Sequence, residues 1–163
     1  MRIMAKTATA LTLALLVTGC GQKSASPESQ APPAGQPAAG AAATFTLPAG
    51  LDDGPRAAAT PANPVMAARG EKLFQTRGCS ACHGFGKRIS CPDLNGVTTR
   101  RTAKWITTQI LHPDVMTKQD PIARGLFAQF ALQMPKQGLT AAQTDTVLEF
   151  LKHKNHESSE KHE

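Results

Sequence analysis

From residue 65 onward, apolar side chains recur at helical spacing. Val65, Met66, Leu73 and Phe74, with Ala67 and Ala68, suit an amphipathic helix over 65–77 that Gly78 ends. Gly70 lies inside it at a cost of about 1 kcal/mol relative to Ala, so close approach by another helix is the expected reason for it. Ile106 and Ile110 stand i, i+4 in a segment spanning 102–111, with Pro113 as its stop. Asp120-Pro121 reads as an N-cap followed by proline at the first helical position, and Ile122, Leu126 and Phe130 line one face of the helix it opens. The last helix begins at Thr140-Ala141-Ala142-Gln143, a capping-box pattern, and runs through Val147, Leu148, Phe150 and Leu151. Strand signals do not recur. The expectation is an all-α domain of four to five helices over residues 65–152.

Ahead of this domain the pattern changes twice. Arg2 and Lys6 precede an apolar run from Ala8 to Val17, then Thr18-Gly19-Cys20. This is the layout of an export signal over residues 1–19, and its run of roughly ten apolar residues is about half of the ~20 needed to span a bilayer. Leu16-Val17-Thr18-Gly19-Cys20 resembles the lipobox of bacterial lipoproteins, which implies cleavage before Cys20 and a diacylglycerol on its sulfur. Gly21 in place of Asp resembles the pattern not retained at the inner membrane. Residues 20–64 are rich in Ala, Pro, Gly, Ser and Gln, as in Ala31-Pro32-Pro33-Ala34-Gly35-Gln36-Pro37, a composition unable to bury enough surface to offset ordering. As a flexible coil of roughly forty residues this linker would reach about 35 Å end to end. Thr44-Phe45-Thr46-Leu47 is the one place where it is expected to dock. Residues 153–163 are polar throughout, and a solvated tail is the expectation there, ahead of metal capture by His153, His156 and His162.

A domain of about ninety residues is small for a self-sufficient core, which directs attention to its cysteines. Cys79-Ser80-Ala81-Cys82-His83 has the spacing of a c-type haem attachment site. If residues 79–83 start a helix, Cys79, Cys82 and His83 share one face and a single flat ring can meet all three. Two thiols then add to the haem vinyl groups as thioethers, and the imidazole binds the iron from below. A zinc site would need ligands from a second knuckle, and a redox dithiol would want a strand before it; neither accompanies the motif. Haem attachment outside the cytoplasm and the export signal are independent observations that agree. With Cys20 assigned to lipid and Cys79 and Cys82 to haem, Cys91 is left over. It reads as a quiet, partly buried thiol, with an oxidisable or dimer-forming thiol as the minority reading.

Over residues 65–152, roughly half the precursor, the chain resembles the class I cytochromes c of bacteria. In that family an N-terminal helix with Gly, and an aromatic four residues later, crosses a C-terminal helix carrying an aromatic near its end; Gly70, Phe74 and Phe150 match. Gln133-Met134-Pro135 matches the Met-Pro ahead of the last helix, so the resemblance implies Met134 as sixth iron ligand opposite His83. Met116, Met66 and His112 are the rivals, with Met116 in a polar loop the main one. Pro92-Asp93-Leu94-Asn95-Gly96 resembles the segment whose proline carbonyl accepts from the ligand imidazole, although Cys91 stands where glycine is usual. Trp105 reads as core packing whose indole N–H is within possible reach of a haem propionate. The cofactor implied is one covalent haem c. A thioether is a soft donor that favours ferrous iron, and closed His/Met coordination suits electron transfer rather than substrate binding.

Charge bears on partners. The chain carries a formal +6, which falls to +4 without Arg2 and Lys6, and residues 65–152 hold twelve Lys and Arg against six Asp and Glu. Lys87, Arg88, Arg100, Arg101 and Lys104 flank the motif and suit docking against an acidic face of a redox protein, a respiratory complex or a periplasmic reductase. Nucleic acid is not an expected partner of an exported chain. The expectation is a membrane-tethered, periplasm-facing electron carrier and not an enzyme. The alternative, a haem enzyme or gas or peroxide sensor, needs a sixth position that opens, and no distal acid or base stands in the sequence to serve it.

Overall fold

The computed structural model describes residues 45–160, so the export signal, Cys20 and most of the linker lie outside the described residues, as do 161–163. Among the described residues there are six α-helices and no strand: α1 Pro64–Thr76, α2 Val97–Arg100, α3 Ala103–Leu111, α4 Pro113–Gln119, α5 Pro121–Phe130 and α6 Ala141–Glu160. None is long and apolar enough to cross a membrane. At four of the six helices, α1, α3, α5 and α6, the N-cap is a side chain that takes up an orphan backbone N–H. Asn63 accepts from Met66, Thr102 from Trp105 and Asp120 from Ala123. At α6 the bonds are reciprocal, Thr140 Oγ1 accepting from Gln143 N and Gln143 Oε1 from Thr140 N, as a capping box requires.

The crossing of α1 and α6 frames the domain. An added Cβ at Gly70 would sit 2.2 Å from the Thr146 carbonyl oxygen and 2.8 Å from Phe150 Cβ, so the close approach expected there is real and only hydrogen fits. Beside the crossing, Phe74, Phe150 and Phe85 form an aromatic trio with centroids 5.3–5.6 Å apart in tilted and edge-on arrangements, the geometry that ring quadrupoles favour. Trp105, Ile106, Met116, Val147, Leu148 and Leu151 continue this core.

Several expectations are corrected. Pro113 ends α3 but also opens α4, because a proline at the first helical position gives up only an N–H that had no helical partner. Met116 therefore lies in a helix, not a polar loop, and is fully buried. Glycine-capped α2, four residues long, was too short to read from periodicity. Residues 45–63, expected as the end of the linker, pack on the helices. Leu51 and Ala57 are buried, Phe45 stacks on His112 at 3.7 Å between centroids, and Asp52 joins Arg56 and Arg101 while accepting from Thr102 N. Residues 153–160, expected as a solvated tail, continue α6. His153 and Lys154 pair with Glu157 and His156 with Glu160, while Asn155 is buried.

Candidate functional site

Gly78, with φ of 77°, turns the chain out of α1 and sets up the motif. Residues 79–83 do not begin an α-helix: Cys79–Ala81 make a single 3-10 turn, closed by Cys82 N and His83 N donating to the Cys79 carbonyl at 3.2 and 3.0 Å. The turn still brings residues 79 and 83 to one side. A loop follows, tied by Asp93, whose carboxylate oxygen accepts from both Gly86 N and Asn95 N at 2.9 Å, and by Leu94 N donating to the Gly84 carbonyl. Arg100 braces it further by donating to the Asn95 carbonyl at 2.7 Å. The outcome is a Pro92 carbonyl held 2.8 Å from His83 Nδ1. That contact fixes Nδ1 as the protonated nitrogen and leaves Nε2 as the free donor of a neutral ring. Burial lowers the His83 pKa, against the opposing pull of the Pro92 carbonyl, so the ring is neutral and fit to bind a metal.

Across the interior, Ala131 closes α5 with φ of 51° and sends residues 132–140 along the open side of the helices. This stretch is pinned to the start of α4, Gln133 Nε2 donating to the Pro113 carbonyl at 3.2 Å and Lys136 pairing with Asp114 at 3.2 Å. Between the pins lies Met134. Its sulfur is 3.8 Å from Gln109 Nε2 on α3.

Cys79, His83, Pro92, Trp105 and Met134 all line one cavity of about 1200 Å³ including its mouth, walled by Phe74, Leu94, Ile106, Ile110, Phe127, Val147 and Leu151. Cys82 does not line it. The Cys82 carbonyl instead accepts from Cys91 N at 3.1 Å, and Cys91 is buried at 5 % exposure. Burial, and next the adjoining Cys82, push the Cys91 thiol up; burial does the same to Cys79. No positive φ is needed at Cys91, so a side chain is tolerated where glycine is usual. Of the rival ligands, Met116 is packed among core side chains off this cavity, and His112 is covered by Phe45. The indole N–H of Trp105 donates to Asp120 Oδ1 at 3.1 Å, so it is already engaged within the protein, while Arg101 lies over the ring face at 5.3 Å.

This donor set suits haem. An imidazole with one free nitrogen and a thioether border the same greasy slot, a thiol sits at its edge, and a largely apolar wall matches the faces of a macrocycle. Three features carried no sequence signal strong enough to name them: Gln109 beside the methionine sulfur, Phe85 in the aromatic trio, and Asp93 tying the loop. Gln109 lies three residues after Ile106 on the inward side of α3, which was the available hint.

The model of the family described as Cytochrome c matches residues 67–155. Among solved structures, the chain is similar to a cytochrome c from Rhodothermus marinus at 30% identity and TM-score 0.57, covering 58% of this chain and 81% of that one. It is similar as well to an engineered form of that protein bound to a carbene intermediate, at 31% identity and TM-score 0.53, covering 58% and 80%. Among curated proteins nothing matches.

Proposed function

Because the chain belongs to the cytochrome c family and so binds a covalent haem c as an electron carrier, we propose that it is a lipid-anchored, monohaem shuttle working on the periplasmic side of a membrane. The observation that carries the reading is the convergence of Cys79, His83 and Met134 on one apolar cavity. When bound, the haem supplies a metal that cycles between ferric and ferrous states by one electron. Cys79 and Cys82 would hold it covalently, and the turn geometry at 79–83 keeps its attachment points beside the ligand ring. His83 is oriented by the Pro92 carbonyl, which increases its donor strength. Met134 would hold the iron as the second protein ligand, on a stretch of chain tied to α4 through Gln133 and Lys136. The apolar wall excludes water and limits rearrangement around the metal as charge changes.

The tether follows from the lipobox-like Leu16–Cys20 and the Ala/Pro-rich stretch after it, which together favour lipidation at Cys20. Such an anchor keeps the domain near a membrane while leaving it free to turn between partners. The partners are redox proteins, a respiratory complex or a periplasmic reductase, met through an acidic face. The basic residues Arg100 and Arg101, which line the cavity, and Arg88, which lies over the ring of the cavity-lining Phe130, support this reading.

The test is the spectrum of the purified ferric protein. A weak long-wavelength sulfur-to-iron band is expected, lost in Met134→Ala, where cyanide should bind at least tenfold faster than to the unsubstituted protein. Rapid cyanide or carbon monoxide binding by the unsubstituted protein would instead indicate an openable site and the enzyme or sensor function.

A further inference from the structure

Gln109 is a polar side chain in an apolar wall. It projects from α3 between Trp105, Ile106 and Ile110, all of which line the same cavity. Its amide nitrogen approaches the Met134 sulfur at 3.8 Å, while its oxygen is buried with no hydrogen-bond partner. An orphaned buried carbonyl is destabilising, and a leucine there would avoid the cost. The side chain is therefore poorly explained by packing, and its one polar contact is with the thioether.

We propose that Gln109 is a positioning residue that holds the Met134 sulfur by an N–H···S hydrogen bond and thereby sets the reduction potential. The inference rests on Met134 being the sixth ligand. A donor aimed at a thioether draws electron density from sulfur and weakens its donation to the metal. Ferric iron loses more by this than ferrous iron, so the bond favours the reduced state. The same contact restrains the methionine against swinging away, since the flanking chain from 132 to 140 is not helical and is tied to α4 by the side chains of Gln133 and Lys136. Two effects are thus expected from one amide, on potential and on ligand retention.

The experiment compares haem-loaded full-length protein with Gln109→Leu and Gln109→Met, two substitutions of similar volume that lack a donor. Redox titration should show both variants easier to oxidise, with the equilibrium constant for reduction lowered about two- to tenfold, the range of a net hydrogen-bond contribution. Cyanide binding to the ferric variants should be faster. A purely structural role would change urea stability and leave the potential where it is. Loss of the sulfur-to-iron band in a variant that still folds also supports the inference, because it shows the ligand released. The inference alone is overturned if the band persists in both variants and the reduction equilibrium moves by less than a factor of 1.5. If the unsubstituted protein lacks the band, the assignment of Met134 is what fails, and this proposal with it.

Discussion

Asp120 shows how much one carboxylate does in a small domain. The same oxygen, Oδ1, accepts from Ala123 N at 2.8 Å, capping α5, and from the buried Trp105 indole at 3.1 Å, joining α3 to α5. Asp120→Ala removes a cap worth about 1 kcal/mol and strands an indole N–H at a further cost of about 1–3 kcal/mol. Urea denaturation is expected to show a loss of about 2–4 kcal/mol. Asp120→Asn, which keeps the acceptor, should lose much less. In a cycle with Trp105→Phe, the aspartate substitution should cost less once the orphaned donor is gone; additive costs would show that the two side chains are not coupled. The cap was legible as Asp120-Pro121, since capping is a matter of adjacent residues. The indole bond was not, because it joins positions fifteen residues apart. Cys79, Cys82 and His83 stood out for the opposite reason, a motif whose residue types and spacing are local, while Met134 was suggested by the resemblance through the Met-Pro pair; the structure brings Cys79, His83 and Met134 to one cavity. Gln109 fell outside that rule, as a glutamine has no distinctive spacing and only the fold brings it to sulfur.

At the scale of elements, Gly70 separates two opposing effects. Ala is intrinsically better in a helix by about 1 kcal/mol, so Gly70→Ala would stabilise an uncrowded α1. Here its methyl would meet the Thr146 carbonyl oxygen at 2.2 Å, a backbone atom that cannot swing aside, and α6 would have to move. Overpacking of this kind typically costs about 1–3 kcal/mol, enough to outweigh propensity. Chemical denaturation is expected to show a net loss of about 1–2 kcal/mol; a gain would mean that the helices cross less closely. The crossing was anticipated because a costly glycine in a strongly periodic helix demands a reason. Short elements were not: α2 and α4 offer one or two turns, too few for a period to register, and the proline at 113 signals both an end and a beginning. The strap formed by residues 45–63 was hidden by its Ala/Pro/Gly-rich composition, although Leu47 and Leu51 sit i, i+4 within it and both join the core.

For the whole molecule, the decisive feature is where an electron leaves. Phe127 and Leu132, apolar side chains that line the cavity, are 43 % and 45 % exposed, and Arg88 lies over the neighbouring Phe130 ring at 4.3 Å. Arg100 and Arg101 line the same cavity, the latter partly neutralised by Asp52 at 3.3 Å. Exposed apolar side chains beside positive charge suit the brief encounters proposed above: charge would draw an acidic surface in, and a small greasy contact would release it quickly. This can be read without knowing the physiological partner, by using small charged oxidants on the ferrous protein. Oxidation by anionic ferricyanide should slow as ionic strength rises from about 0.01 to 0.3 M, because the Debye length falls over that range from about 30 Å to below 10 Å. Oxidation by a cationic cobalt(III) phenanthroline complex should speed up over the same range. Arg88→Glu, at a side chain that lies over the ring of the cavity-lining Phe130, is expected to flatten both dependences more than Lys72→Glu, an equal change in net charge at a side chain that does not line the cavity. Equal effects of the two substitutions would show that overall charge, rather than the charge beside these apolar side chains, governs the encounter, and the docking face would then have to be sought elsewhere on the domain.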